Sequence, residues 1–261
     1  MIRKLTTAFV LSGIALSTSS LAETPRHLKV IISGGFAQAY AAVLPEFEQQ
    51  TGIKVETGSG ASEGIGPKTI RYQLAHGVTA DVVILSREGL HKLSEDGRIR
   101  PGSAVGLATA PLGAAVRSGE PKPDITTNGS FRQAVIHAGQ VVMPGSTSGQ
   151  FVRDNVFPKL DLPKSVTLTL VARGTESAEY LKAGKANLSI GPTSELVNVP
   201  GIDFVGALPN DYQIVQTFTA GIVDNAQNSE DAKRLIEFLS NDSVNLLKAI
   251  RMAGMEPAKL Q

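Results

Sequence analysis

Short β-branched runs that alternate with amphipathic helical segments constrain this chain more than any other feature. Residues 28–33, 53–57, 81–85, 140–143, 167–171 and 187–190 read as strands, and helical patterns fall between most of them. The clearest helix follows the first strand, where Phe36, Ala39, Tyr40, Val43, Leu44 and Phe47 recur at the spacing of one buried face. Val30-Ile31-Ile32 and Val82-Val83-Ile84-Leu85 carry no polar alternation. A strand with one wet face alternates, whereas one without polar positions is covered on both sides, as in a parallel sheet flanked by helices. The predicted fold class is α/β.

The middle of the chain departs from this order. Residues 112–117 read as a strand, the proline-rich turn Ser118-Gly119-Glu120-Pro121-Lys122-Pro123-Asp124 follows, and a second β-α series then begins. A further extended stretch, 212–223, precedes the final helices. Two α/β lobes joined by two strand-like crossovers, near 108–118 and 213–222, account for this better than one continuous sheet. The expected division is 23–110 with 220–261 as the first lobe and 111–219 as the second, with a ligand cleft between them. Near the C-terminus Ser229, Glu230 and Asp231 read as a helix cap and acidic first turn, ahead of the buried stripe Ala232, Leu235, Ile236 and Leu239.

Composition enters the argument at the N-terminus. Arg3 and Lys4 precede an apolar run, 8–16, and small residues ending Ser20-Leu21-Ala22. The run is too short to span a bilayer, and the small-x-small site predicts a secretory signal peptide, 1–22, cleaved after Ala22. From 25 Lys+Arg and 24 Asp+Glu this segment removes two bases and no acid, so the formal charge moves from +1 to −1. Such a balance lacks the basic excess that nucleic acid calls for. The absence of cysteine excludes disulfides, thiolate metal sites and a lipid anchor on an N-terminal cysteine. An exported protein without an anchor is retained by an outer membrane, so the expected location is the periplasm and the expected form a monomer.

Four places share one arrangement, in which a strand ends and small or hydroxyl residues lead towards a helix. They are Ser33-Gly34-Gly35, Gly58-Ser59-Gly60-Ala61-Ser62, Gly145-Ser146-Thr147-Ser148-Gly149 and Gly191-Pro192-Thr193-Ser194. Ligands of open α/β sheets bind outside the carboxyl ends of strands, where helix N-termini present unpaired amides and partial positive charge. Any one such loop is equally an ordinary turn or cap. Four together, two from each lobe, predict a small anion clamped by amides and hydroxyls. Lys68 and Arg71 after the second junction and Arg153, four residues after Gly149, add charge. Arginine grips carboxylates bidentately, which favours an organic acid with several carboxylates over a simple oxyanion. His27, His76, His91 and His137 are scattered without the pairing a metal site needs, so neither metal nor cofactor is expected.

Several segments carry a resemblance. They are Leu28-Lys29-Val30-Ile31-Ile32-Ser33; Phe47-Glu48-Gln49-Gln50-Thr51-Gly52-Ile53-Lys54-Val55; the strand entry 74–84, with its Ala80-Asp81-Val82; and 199–205 with 219–223 as the return crossover. On these the chain resembles the molybdate-binding-like branch of type II periplasmic solute-binding proteins, the soluble receptors of ABC importers. The resemblance covers nearly all of the chain beyond the signal and implies a two-lobe periplasmic binding protein type II fold. Members that bind molybdate or tungstate place a serine in the first loop, a serine in the second and a tyrosine in the second lobe. Here the first position falls on Gly35 with Ser33 beside it, Ser62 fills the second, and the third falls about Gly191-Pro192, without a hydroxyl of that kind.

An enzyme branch with this fold, the aconitate isomerases, is similar in length, export and sequence. That resemblance implies interconversion of cis- and trans-aconitate by a 1,3-proton shift, which needs a group to remove a proton, a group to deliver one, and donors for the developing dienolate. Glu63, next to Ser62, is the expected base, with Lys68 and the loop hydroxyls as donors; the plainer role for Glu63 is a first-turn acid complementing a helix dipole. The other implied function is a receptor that hands an oxyanion or organic anion to an ABC importer permease. The sequence alone does not separate the two, but the altered ligand loops favour a carboxylate ligand and, with it, the isomerase.

Overall fold

A computed structural model describes residues 26–259 of the chain; the expected signal peptide lies outside them. The first half is a β-α series: β1 (His27–Ile32), α1 (Gly34–Thr51), β2 (Lys54–Ser59), α2 (Ile70–Ala75), β3 (Val82–Ser86) and α3 (Arg87–Glu95). A long strand, β4 (Val105–Arg117), leads to α4 (Asn128–Ala138), β5 (Gln140–Pro144), α5 (Thr147–Phe151), β6 (Thr167–Val171), α6 (Gly174–Lys182), β7 (Leu188–Pro192) and β8 (Ile202–Ala207). Then come β9 (Val215–Ile222), α7 (Ser229–Leu239), α8 (Val244–Met252) and the short β10 (Glu256–Pro257). No helix among the described residues is long and apolar enough to cross a membrane.

The strands run in the order β2-β1-β3-β9-β4-β7-β5-β6. β1 pairs in parallel with β2 and β3, and β5 with β6 and β7, as their helical connections require. β4 joins the two groups. Its residues 105–111 pair antiparallel with β9, whereas 112–115 pair with β7 and 113–117 with β8. The chain crosses between the groups inside β4 and returns at the start of β9.

Each group is covered on both faces, which is why its strands lack alternation. Val30 and Ile32 pack into a core with Phe36, Phe47, Leu235 and Leu246, while Ile31, between them, packs with Ile70, Leu74, Val83 and Leu93 on the opposite face. In the second half Val141 and Met143 meet Phe131 and Val156, and Val142 meets Ala178 and Leu181.

Local structure departs from the sequence expectation at several points. The second junction does not run straight into a helix: α2 starts at Ile70, with the Thr69 hydroxyl accepting from Tyr72 N, so Lys68 lies before it. Arg71 forms a fork on Asp96, Nε–Oδ2 2.6 Å and Nη2–Oδ1 2.8 Å, on the outside of the molecule. The fourth junction leads only to a 3₁₀ turn, Thr193–Glu195, and α5 passes into a π-helical turn, Val152–Val156, that carries Arg153. Segment 199–205 is not part of the return crossover but enters β8, on the second group. α7 is preceded by Asn228, not Ser229, as its cap residue; Asn228 is held there by its N–H on Asp81 Oδ1 and its amide on His27 O.

Candidate functional site

The loops at the carboxyl ends of β1, β2, β5, β6 and β7 meet in one cleft, which Gln216 and Phe218 of β9 also line. Ser33 sets the geometry of the first. Its backbone is extended, its N–H donates to Ile84 O at 2.8 Å, and its hydroxyl makes no cap bond, so the first amides of α1 have no side-chain partner. Gly35 is required by contact, since a Cβ there would collide with the buried Phe218 ring, and a Cβ on Gly34 would displace the Glu195 carboxylate. α6 repeats the arrangement from the other side. Its cap residue, Arg173, makes no side-chain cap bond, and a Cβ on Gly174 would collide with Glu195 Oε2. The Glu195 carboxylate therefore lies between the N-terminal ends of α1 and α6.

Several contacts hold the two walls together. Arg173 Nη1 donates to Ser59 Oγ at 2.7 Å, Ser86 Oγ and Thr147 Oγ1 are 2.9 Å apart, and Gln38 Nε2 donates to Ser194 O and Val197 O at 3.1 and 3.0 Å. Lys68 Nζ is 2.7 Å from Glu176 Oε1, and that hydrogen bond holds the Glu176 carboxyl below its usual range. Ser62 is buried and its hydroxyl accepts from Ser86 N at 2.9 Å. With these contacts made, the space within the cleft is ≈ 10 Å³, about what one water needs.

The cleft wall holds polar atoms that the protein itself does not satisfy. Ser33 Oγ, Gln216 Oε1 and Arg173 Nε are buried without a hydrogen-bond partner, where most buried polar atoms of folded proteins have one. Glu195 keeps a little accessibility at the cleft, yet burial alone pushes its pKa up to about 7. Among the described residues no Lys, Arg or His nitrogen lies within 4.0 Å of its carboxylate. A carboxylic acid between two uncapped helix ends, in a cleft that a guanidinium also lines, can exchange protons with an anion held there.

Of the residues expected from sequence, Ser33, Gly34, Gly35, Ser62 and Ser146 line this cleft. Thr147 forms part of the clasp, and Ser148 is buried with an unpartnered hydroxyl. Gly149 faces Pro144, whose carbonyl would meet any Cβ there, so it serves the packing of α5 on β5. Gly191 sits inside β7, paired with Gly113, and a Cβ on it would stand 3.6 Å from Pro144 Cδ. Glu63, Lys68 and Arg153 are brought to a neighbouring groove of ≈ 600 Å³ and not to the cleft lining. Each is occupied there: Glu63 Oε1 with Lys92 Nζ at 2.7 Å, Lys68 with Glu176, and Arg153 with Asp154 through two contacts of 2.6 and 2.7 Å.

Three cleft residues escape the sequence reading: Arg173, Glu195 and Gln216. Val171-Ala172-Arg173-Gly174 carries the same signature as the other junctions, a strand end followed by glycine, with a base in place of a hydroxyl. Glu195 stands one residue beyond the fourth junction, and Gln216 is a buried polar residue in an otherwise apolar strand.

A family model described as bacterial extracellular solute-binding protein matches residues 28–255. An aconitate isomerase from Pseudomonas sp is 33% identical over 259 residues, covering 96% of this chain and 98% of that protein. Among solved structures, the periplasmic molybdate-binding protein of Azotobacter vinelandii superposes with a TM-score of 0.69 at 19% identity, over 90% of this chain and 100% of the other. The sulfate-binding protein SubI of Mycobacterium tuberculosis H37Rv superposes with a TM-score of 0.68 at 18% identity, over 90% and 88%. At such identities these two structures bear on the fold.

Proposed function

This chain belongs to the bacterial extracellular solute-binding proteins, and on that premise we propose that it captures a small organic polycarboxylate between its lobes and isomerises it. The substrate of this reading is aconitate, and the reaction a 1,3-proton shift between its cis and trans forms. The observation that carries the reading is the meeting, in one cleft, of Arg173, the uncapped N-termini of α1 and α6, and a buried carboxyl with no partner of its own. Guanidinium and helix amides suit several carboxylates at once. A receptor for a tetrahedral oxyanion needs donors only, whereas a proton shift also needs a group that can take and return a proton. The full-length relationship to an aconitate isomerase supports the same reading.

The protein so understood is a monomer exported to the periplasm by cleavage after Ala22. Its lobes, residues 23–110 with 220–261 and residues 111–219, part to admit the ligand and close on it. Ser33, Gly34, Gly35, Ser62 and Ser146 contribute amides and hydroxyls, while Arg173 exchanges Ser59 for a substrate carboxylate. No metal or redox cofactor takes part in such a shift.

The test is to incubate the purified mature protein with trans-aconitate and follow cis-aconitate by chromatography, beside a thermal-shift panel of tricarballylate, citrate, molybdate and sulfate. Conversion together with stabilisation by the tricarboxylates is the expected result. Binding of a tricarboxylate without conversion would leave the importer-receptor function, and stabilisation by molybdate alone would overturn the carboxylate reading.

A further inference from the structure

We propose that Glu195 is the acid–base group of this cleft and serves both ends of the proton shift, taking the proton from the substrate methylene and returning it to the far carbon. The inference rests on the isomerase reading above and assigns its chemistry to a residue. Every other polar group of the lining is unsuited to the task. Arg173 stays charged at any pH of interest, the serine hydroxyls and the Gln216 amide are not bases near neutrality, and among the described residues Glu195 is the single carboxylate in the lining. Glu63, Lys68 and Arg153 are engaged in ion pairs in the neighbouring groove.

The geometry fits a shuttle. Glu195 Oε1 faces Gly34 and Oε2 faces Gly174, so the two oxygens of one carboxyl address the ends of two helices from opposite walls. On this proposal a tricarboxylate held by those amides and by Arg173 would lay its carbon chain against the carboxyl. Gly34 from α1 and Gly174 from α6 face Glu195; Gly35, Pro192, Gln216 and Phe218 share the lining, and the other charged side chain in it is Arg173. Burial that lifts its pKa to about 7 gives both the acid and the base form near neutral pH, as proton transfer in both directions requires.

The electron count closes without a co-reactant. As Glu195 removes a methylene proton, the C–H pair forms the new double bond to the central carbon. The pair of the old double bond moves to the far carbon, which takes the proton back from the Glu195 acid. Arg173 and the helix amides hold the charge that gathers on the carboxylates in between. The two carbons flank one central atom, so a single carboxyl reaches both from one face.

The experiment compares wild type with E195Q and E195D. We expect E195Q to lose at least about 100-fold in conversion while keeping the thermal shift given by tricarballylate, which has no double bond to move. E195D should keep a measurable part of the rate with a displaced pH profile. A single turnover in heavy water should leave some protium on the receiving carbon, since one group carries the proton across. E195Q turning over at the wild-type rate, or complete deuterium at the receiving carbon from the first turnover, would overturn the inference and leave the isomerase reading standing. Absence of conversion by the wild-type protein itself would instead overturn that reading and this one with it.

Discussion

Arg173 and Glu195 sit one on each side of a charge balance that the rest of the cleft leaves to hydroxyls and amides. Arg173 has one nitrogen on Ser59, while Nε makes no hydrogen bond and stands 3.7 Å from Glu176 Oε1. Hydrogen bonds to charged groups contribute roughly 1.5–3 kcal/mol, so Arg173→Ala should weaken tricarballylate binding about 10- to 100-fold by titration calorimetry. Unchanged affinity would remove Arg173 from the site. Glu195 makes a prediction about pH. Its folded pKa of about 7 exceeds the ordinary value near 4.3, so between these values the folded protein holds a proton that the unfolded chain has released. The sign follows: its contribution to stability is complete below about pH 4.3 and lost as pH rises through about 7. The melting temperature of E195Q relative to wild type should therefore rise from about pH 5 to about pH 8, and a constant difference would contradict the shift.

At the scale of elements, the cleft depends on helices approaching strands where only glycine fits. Gly35 is the sharpest case, because a methyl group there would strike the Phe218 ring of β9. Phe218 is buried in the first core and has no free space to yield. Overpacking of this kind typically costs about 1–3 kcal/mol, so Gly35→Ala should lower denaturant stability by that order and also impair ligand binding, since the same residue begins α1. A variant with full stability would show that the α1–β9 approach is looser than described. The glycine and serine junctions after β1, β2 and β5 were legible from sequence because each combines a strand end with small residues. The arginine junction after β6 was not, since attention to hydroxyls passes over a base that contributes through its side chain.

Across the whole molecule, contacts such as Lys68–Glu176 join the two walls of the cleft. Lys68 lies in the first half and Glu176 in the second, and their pair is half exposed. Such pairs contribute about 0–1 kcal/mol to stability, so Glu176→Gln should scarcely change the melting temperature. Its effect should appear in ligand release, faster by up to about fivefold in stopped-flow measurements, as 1 kcal/mol converts to that factor. A large loss of stability without a change in release would assign the pair to folding and not to closure. Closure itself is measurable by X-ray scattering: a saturating tricarboxylate should reduce the radius of gyration of the free protein as its lobes come together.

The sequence by itself determined the class of fold, the two β-α series and the crossovers, because each rests on local pattern: apolar runs without alternation, helical stripes, and glycine where strands end. It also pointed to Ser33, Gly34, Gly35, Ser62 and Ser146, which the structure places around one cleft, since hydroxyls and glycines at strand ends are local features too. Only the tertiary structure decided which charges meet there. Glu63, Lys68 and Arg153 find oppositely charged partners in Lys92, Glu176 and Asp154, and no spacing along the chain forecasts two of those three pairings. Glu195 acquires its character from burial between Gly34, 161 positions earlier, and Gly174. A pKa is a property of surroundings, and these surroundings come into being only when the two halves of the chain close.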